Sequence, residues 1–485
     1  MKPQAEAAGA SAPGRPLCVD LDGTLVSTDT LQENLLVFLK RHFWQAWRLP
    51  GWLLEGKARF KQRLAASVKL EVDGLPVRGE FVEFLRAEQA RGRRLLLATA
   101  ADEQIARQVA ARFPFFSEVL ASDGQVNLGG ATKLAKLVEK FGEKGFDYAG
   151  NARVDLPIWR AADGSIVVQA SRAVQRKAQD EARVVGVFGE RTGWFERLQR
   201  VLRLHQWPKN ILLIVPAITG HKLGDGLILE RLGLGVVTFC LCASSVYVLN
   251  DLHDLESDRL HRTKCSRPFA AGQFSILGGL VLAPLLLALA FLGAVWLAPA
   301  FGCYLALYFA MSTAYSWALK KVVLLDVFVL AGLYTLRILA GHGATGIGYS
   351  NWLLGFSVFT FLSLALLKRY IELHRSPAVE SASLAGRGYQ GRDLQVVLTM
   401  GLTSGYLSAL VLALYINSKE VVELYRKPMV LLFICPLLLY WVSRAWLLAT
   451  RDRIDDDPVV FALKDWTSYV IGALVALFIW LASVL

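Results

Sequence analysis

Two short stretches of the chain bring together residue types suited to phosphate chemistry. The longer runs from Asn250 to Pro268 and holds Asp251, Asp254 and Asp258. Spacings of three and four residues place these acids on one face of a helix. Carboxylates stacked that closely repel one another and call for a cation between them. Oxygen-only ligands favour Mg2+, which is usually held by one or two carboxylates together with a substrate's phosphates. Asn250 opens the stretch, and Tyr247, about one helical turn before Asp251, is expected to face the same cavity. Lys264 and Arg267 follow and suit phosphate oxygens that a metal leaves uncovered. An ordinary charged loop needs no helical register of acids followed by bases. The expectation is therefore a Mg2+-diphosphate site at the end of a membrane helix. The shorter stretch, Asp20-Leu21-Asp22-Gly23-Thr24-Leu25, is entered directly from an apolar run at 17–21.

The elements that must position these residues fall into two classes. Hydrophobic residues make up 54% of the chain and charged residues only 19%, against about 25% charged in globular chains. Several apolar runs reach the roughly 20 residues needed to cross a bilayer. About nine spans are expected, at 208–222, 229–250, 274–297, 299–318, 322–342, 352–371, 396–417, 428–448 and 466–485. Lys and Arg gather in the loops 251–273, 319–321, 372–395 and 449–465, whereas the loops near 298 and at 343–351 have none. The positive-inside rule puts the basic loops, and with them the acidic stretch, in the cytoplasm. The net charge of +12 is explained by loops facing anionic lipid, so no nucleic-acid partner is expected. The six cysteines are scattered, with neither disulfide nor metal-binding spacing.

Residues 17–185 alternate short apolar runs with amphipathic stretches. Runs at 17–21, 94–99, 146–149 and 166–169 read as buried parallel strands with helical patterns between them. The class is soluble α/β, followed by an all-α multi-pass membrane domain. In a parallel sheet the carboxyl ends of the strands are where ligands bind, and Asp20 and Asp22 lie at one. Residues 1–16 lack the apolar core of a signal peptide and are expected to be disordered. The soluble domain is expected to stay cytoplasmic. Residues 171–183 read as a linker or terminal helix. Over 194–203 an apolar face is flanked by Arg197, Arg200 and Arg203, the pattern of an interfacial helix within a 186–207 connection. Lys209, in Gln206-Trp207-Pro208-Lys209-Asn210, is close enough to the first span to reach a phosphate. Ionisable groups at span depth are costly and usually functional. Arg337 is one, set against a structural pairing with Asp326. Lys368 and Arg369, which end the sixth span, are others, set against snorkelling.

The Asp-x-Asp-Gly-Thr-Leu stretch resembles the first motif of the haloacid-dehalogenase (HAD) superfamily, mostly phosphatases. The resemblance covers about a third of the chain. It implies Asp20 as a nucleophile that becomes an aspartyl-phosphate and Asp22 as general acid/base. It implies Thr99 as a phosphate-binding hydroxyl at a strand end and Lys133 as the base that neutralises the phosphoryl group. It also implies Mg2+ held by Asp20, Asp22, Asn151 and Asp155. Asn151 departs from the usual aspartate: an amide oxygen can still ligate Mg2+, but a negative charge is lost. Residues 30–75 would form a small helical cap.

Residues 208–485 resemble the UbiA-type intramembrane prenyltransferases, through Asn-Asp-x-x-Asp-x-x-x-Asp after the second span. Most members carry a second acidic motif at the end of the sixth span. Here Lys368-Arg369-Tyr370-Ile371-Glu372-Leu373 stands in its place. With 206–210 and Asp456-Asp457-Pro458-Val459-Val460-Phe461-Ala462, this resembles the decaprenyl-phosphate phosphoribosyltransferases. That branch implies phosphoribosyl diphosphate (PRPP) as donor, a polyprenyl phosphate as acceptor and a bacterial inner membrane as location. One Mg2+-diphosphate, a 5-phosphate and a lipid phosphate need cations, supplied by Lys368, Arg369 and Arg337 or Lys209. A HAD phosphatase on the same side would then remove the 5-phosphate, giving a precursor for cell-envelope glycans. An aromatic prenyltransferase using a prenyl diphosphate, and a non-enzymatic transporter or lipid-binding protein, are the competing expectations.

Overall fold

The computed structural model describes residues 14–189, 193–375, 387–454 and 458–484. Its contacts divide the chain into two units: 1–204 with 247–283, and 205–246 with 284–485. Of the motifs above, Asp456 and Asp457 lie outside the described residues, as does 1–13 of the stretch expected to be disordered. Arg15 and Pro16 are already held by the fold: Arg15 pairs with Asp163, and the Pro16 carbonyl accepts from the Asp147 N–H at 3.0 Å.

The first unit is built on a six-stranded parallel sheet ordered β3-β2-β1-β4-β5-β6. Its strands are β1 (Leu17–Val19), β2 (Leu95–Asp102), β3 (Phe116–Ser122), β4 (Asp147–Gly150), β5 (Ser165–Val168) and β6 (Val184–Phe188). β1 is central and fully buried, as an unbroken apolar run in a parallel sheet should be. Its side chains alternate between two cores. Leu17 and Val19 join Phe38, Phe81 and Leu97 on one face, and Cys18 joins Tyr148, Trp159 and Val167 on the other. β3 and β6 were not among the expected strands. Both are edges. β3 mixes Ser117, Glu118 and Ser122 into its apolar run, whereas β6, Val-Val-Gly-Val-Phe, is apolar but lies at the expected domain boundary. Residues 171–183 are the helix Arg172–Glu181 that leads into β6, so the sheet runs on to Phe188. The cap region holds the helices Thr30–Arg41, Arg48–Leu54 and Lys57–Ser67.

Residues 247–283 group with this sheet domain, which the sequence did not suggest. Leu36 of the cap and Val201 of the helix Trp194–Leu202 share a core with Val248, Leu252, Leu255, Phe269 and Ile276. Arg259 pairs with Glu33, with both side chains almost completely buried.

The second unit is helical. Among the described residues seven helices are long and apolar enough to cross a membrane, the first being Gly226–His253 and the last Trp466–Val484. Two of the nine expected spans fall short. Residues 208–222 form a 3-10 segment, Leu204–Ile214, that contains Pro208, and then a short helix, Val215–Thr219. Pro299–Trp317 is a helix of 19 residues, but its serines, threonine and tyrosines lower its apolarity. Close helix approach relies on small residues. At Gly401 an added Cβ would run into the Trp446 indole, and the Gly401 carbonyl accepts from Ser363 Oγ at 2.7 Å. Gly401→Val is expected to cost about 1–3 kcal/mol by overpacking. Thermal unfolding of the detergent-solubilised protein would show a lower midpoint, and an unchanged midpoint would contradict this packing.

Candidate functional site

β1 ends at Val19, so the next residues turn out of the sheet at its carboxyl edge. The Thr30 N–H donates to Asp22 Oδ1 at 2.8 Å and anchors that carboxylate to the start of the first cap helix. Lys133 Nζ donates to Asp20 Oδ1 at 2.7 Å and to the Tyr148 hydroxyl at 3.0 Å. Tyr148 donates in turn to Asp155 Oδ1 at 3.1 Å. Asp155 Oδ2 accepts the N–H groups of Asn151 and Ala152 at 3.0 and 2.9 Å and so fixes the loop after β4. Asn151 lies against Gly23, where a Cβ would overlap the Asn151 amide. Asp20, Asp22, Lys133, Asn151 and Asp155 are thus brought together at one strand edge. Thr99 is fully buried, and its hydroxyl accepts from the Ala101 N–H at 3.0 Å. It does not end its strand, which continues with an irregularity to Asp102. Two cations on this edge were missed from sequence. Lys61, from the cap, donates to the Ala100 carbonyl at 2.6 Å and to Asn127 Oδ1 at 2.8 Å. Arg78 donates to the Gly23 carbonyl at 2.9 Å.

Negative charge is concentrated here. Burial, then Asp29 and Asp20, pushes the Asp22 carboxyl up to about 7. Burial, then Asp20, pushes Asp155 up to about 6. Acids that resist ionisation this way fit a site completed by a cation, and Asp20, Asp22 and the Asn151 amide offer the oxygens Mg2+ prefers. Among the described residues, no three His, Cys, Asp or Glu side chains are grouped closely enough to hold a metal by themselves. Phosphate or water oxygens would have to complete a shell.

In the longer motif, the helix Gly226–His253 carries Asp251 in its last turn. The helix then breaks at Asp254 (φ −88°, ψ 9°), and a new one, Leu255–Leu260, carries Asp258. The break corrects the expectation of three acids on one continuous helix face. Asp251 and Asp258 are buried and meet at Arg267, whose Nη1 donates to Asp258 Oδ2 at 2.6 Å and Asp251 Oδ1 at 3.1 Å. Asp254 is the half-buried junction residue. Arg267, expected on phosphate, bridges the two acids instead. Arg203 also pairs with Asp251, with its guanidinium 5.0 Å from the Tyr247 ring centre. By its spacing Arg203 belongs to the basic face of an interfacial amphipathic helix. Its basic character was visible, but its acidic partner, 48 residues away, was not. Lys264 sits on an exposed turn, Lys264–Ser266. Asn250 Oδ1 is buried without a hydrogen-bond partner. This orphan acceptor, one residue before Asp251, is an oxygen of the kind a Mg2+ shell uses.

In the second unit Lys209 is half-buried in the Leu204–Ile214 segment. Arg337 donates to Asn210 Oδ1 at 2.9 Å, the Leu333 carbonyl at 2.6 Å and the Tyr308 hydroxyl at 3.1 Å, and lies near the rings of Phe239, Tyr308 and Tyr334. Asp326, weighed as its partner, instead pairs with Arg369 at 2.8 Å and Arg387 at 3.4 Å and accepts from the Tyr389 hydroxyl at 2.7 Å. Arg369 is fully buried and also pairs with Glu372; Lys368 beside it is half-buried.

Residues 213–466 match the UbiA prenyltransferase family, and residues 17–160 match haloacid dehalogenase-like hydrolase. The chain belongs to the UbiA prenyltransferase family, as an integral membrane protein with an N-terminal HAD-like domain. Uncharacterized protein y4nM of Sinorhizobium fredii is 38% identical over 465 residues, which cover 95% of this chain and 90% of that one. A decaprenyl-phosphate phosphoribosyltransferase of Mycobacterium tuberculosis is 34% identical over 214 residues, 42% of this chain and 70% of that one. The solved structure of a UbiA homolog from Archaeoglobus fulgidus bound to DMAPP and Mg2+ aligns with a TM-score of 0.46 at 19% identity, covering 60% of this chain and all of that one.

Two outcomes are expected. Removing one partner of a buried ion pair costs about 3–5 kcal/mol. Asp326→Ala should therefore sharply lower the melting midpoint in detergent, and a shift as small as that of an exposed Asp→Ala control would contradict this role. For Asp22 the folded value, about 7, lies above the roughly 3.9 of an unfolded aspartate. Between those values the native state holds more protons, so stability falls as pH rises through the window. In Mg2+-free buffer Asp22→Asn should flatten that fall in a series of thermal scans, and an unchanged slope would count against the assignment.

Proposed function

We propose that the protein transfers 5-phosphoribose from PRPP to a polyprenyl phosphate and then removes the 5-phosphate in its HAD-like domain. The observation that carries the reading is the buried acidic pair Asp251 and Asp258, bridged by Arg267 and joined by Arg203. A donor with one diphosphate needs one acidic Mg2+ cluster, and a 5-phosphate and a lipid phosphate need cations. The similarity to proteins named decaprenyl-phosphate phosphoribosyltransferase supports the same reading.

In this proposal the phosphatase domain runs from residue 17 through β6 to Phe188, past the boundary expected at 185; the connection with its interfacial helix follows to 207, and 208–485 is the transferase. Both sites face the cytoplasm of a bacterial inner membrane. Asp251, Asp254 and Asp258 would hold Mg2+, and Asn250 and Tyr247 would lie beside the diphosphate. Arg267, which bridges Asp251 and Asp258, and Lys264 would meet phosphate oxygens. Lys209 and Lys368 would balance the remaining anionic charge, whereas Arg369, paired with Asp326 and Glu372, and Arg337, bonded to Asn210, Leu333 and Tyr308, hold their helices in place. The lipid phosphate attacks the anomeric carbon as diphosphate leaves, so no protein nucleophile is required. Mg2+ would neutralise the leaving diphosphate, and positioning supplies the rest.

In the HAD-like domain Asp20 attacks the 5-phosphate and Asp22 donates a proton to the departing sugar hydroxyl. Water then hydrolyses the aspartyl-phosphate, with Asp22 accepting its proton. Thr99 and Lys133 would support the phosphoryl oxygens, and Asp20, Asp22, Asn151 and Asp155 would hold Mg2+, which would neutralise charge on the phosphoryl group. The products feed cell-envelope glycan synthesis.

The test is lipid product analysis with variants in nanodiscs. Asp251→Ala and Asp258→Ala should each lower transfer by about 100-fold or more, on the scale of losing a charged group that stabilises a transition state. Asp20→Ala should leave transfer intact and accumulate the 5-phosphorylated lipid. Full transfer by both acidic variants would refute the first assignment. Complete dephosphorylation by Asp20→Ala would refute the second.

A further inference from the structure

A cavity of about 310 Å3 opens beside Asp22, within the roughly 300–1,000 Å3 range of small-ligand sites. Asp22, Gly23 and Asn151 line it, but so do Arg197 and residues 272–275. These last residues lie outside the 17–160 match to the hydrolase family. Specific contacts hold them there. Arg197 donates to the Gln273 carbonyl at 3.1 Å, and the Leu277 N–H donates to Gln32 Oε1 at 3.0 Å. Gly272 has φ +67°, and a Cβ there would lie 2.5 Å from the Ser27 carbonyl oxygen. Only glycine lets the loop approach this closely. Gln273 Oε1 is buried with no hydrogen-bond partner.

We propose that this cavity seats the alcohol part of the phosphatase substrate, and that this alcohol is a sugar carrying a second phosphate esterified to a lipid. The inference rests on the dephosphorylation reading above and adds the recognition of its substrate. Removing a phosphoryl group from any small ester requires only the Asp20–Lys133 edge. The room beyond Asp22 is lined instead by the amides of Gln32 and Gln273 and the guanidiniums of Arg78 and Arg197. Amides bond sugar hydroxyls, with the Gln273 acceptor awaiting a donor, and guanidiniums suit a second phosphate. In the reaction the monoester P–O bond breaks, the sugar oxygen takes the Asp22 proton, and water finally supplies the oxygen of released phosphate. A free sugar bisphosphate offers the same chemistry as a lipid-linked one, so both belong in the test.

The experiment uses the full chain in lipid nanodiscs with Mg2+ and measures phosphate release from three probes. These are polyprenyl-phosphate-linked ribose 5-phosphate, ribose 1,5-bisphosphate and p-nitrophenyl phosphate, with Asp20→Ala as the inactive control. Wild type should prefer the lipid-linked probe. Arg197→Gln and Gln273→Ala should each lower kcat/KM for it about tenfold relative to the aryl phosphate, mainly through KM. Gly272→Ala should act in the same direction by displacing the loop. A ratio that stays within about twofold in all three variants, while the lipid-linked probe is still hydrolysed, overturns this inference alone. A preference for the free bisphosphate overturns the lipid-linked class. Wild type that releases no phosphate from the lipid-linked probe sinks the dephosphorylation reading itself, and the inference with it.

Discussion

Carboxylates cannot crowd together away from bulk water without positive charge among them. This constraint shapes each place where the chain concentrates acids. At the sheet edge Lys133 lies on Asp20, while Asp22 and Asp155 are left resisting ionisation. In the acidic motif Arg267 bridges Asp251 and Asp258, and Arg203 adds a second guanidinium on Asp251. In the helical unit Asp326 draws Arg369, Arg387 and Tyr389 around itself. The first two clusters retain an unmet demand, from raised carboxyls or from the orphan oxygen of Asn250. The third is balanced by its own side chains and reads as architecture.

That difference separates the roles of the buried cations. Arg369 has two acidic partners and no exposure, so its first duty is to hold helices in place. Lys133 reaches only one acid and a tyrosine at a strand edge, which fits the phosphoryl-binding role proposed for it. The grouping of 247–283 with the sheet domain gives the chain a further economy. The loop that follows the transferase motif also walls the cavity beside Asp22.

What was legible in the sequence depended on how local the signal was. β1 and the Asp20–Asp22 motif are contiguous, and their placement follows from one apolar run meeting a turn. The acids of 251–258 were legible by spacing, but the break at Asp254 was not, since no Pro or Gly marks it. β3 is an edge strand with Ser117, Glu118 and Ser122 breaking its apolar run, so the pattern that revealed β1 and β5 was absent; β6 is as apolar as β5 but lies at the expected domain boundary. Pairings across long separations were invisible: Arg259 with Glu33 spans 226 residues, and Asp326 with Tyr389 spans 63. Arg78, Lys61 and Arg203 look like ordinary surface cations until their carbonyl and carboxylate partners are known.

The most direct test of this account is a donor competition. Wild-type protein in nanodiscs would receive Mg2+, a polyprenyl phosphate, PRPP and an equal amount of a prenyl diphosphate with an aromatic acceptor, and the lipid fraction would be weighed over time by mass spectrometry. The account predicts a phosphoribosyl lipid that later loses one phosphate, with the prenyl diphosphate untouched. A prenylated aromatic product with PRPP unconsumed would contradict it and place the chain among the family's aromatic prenyltransferases.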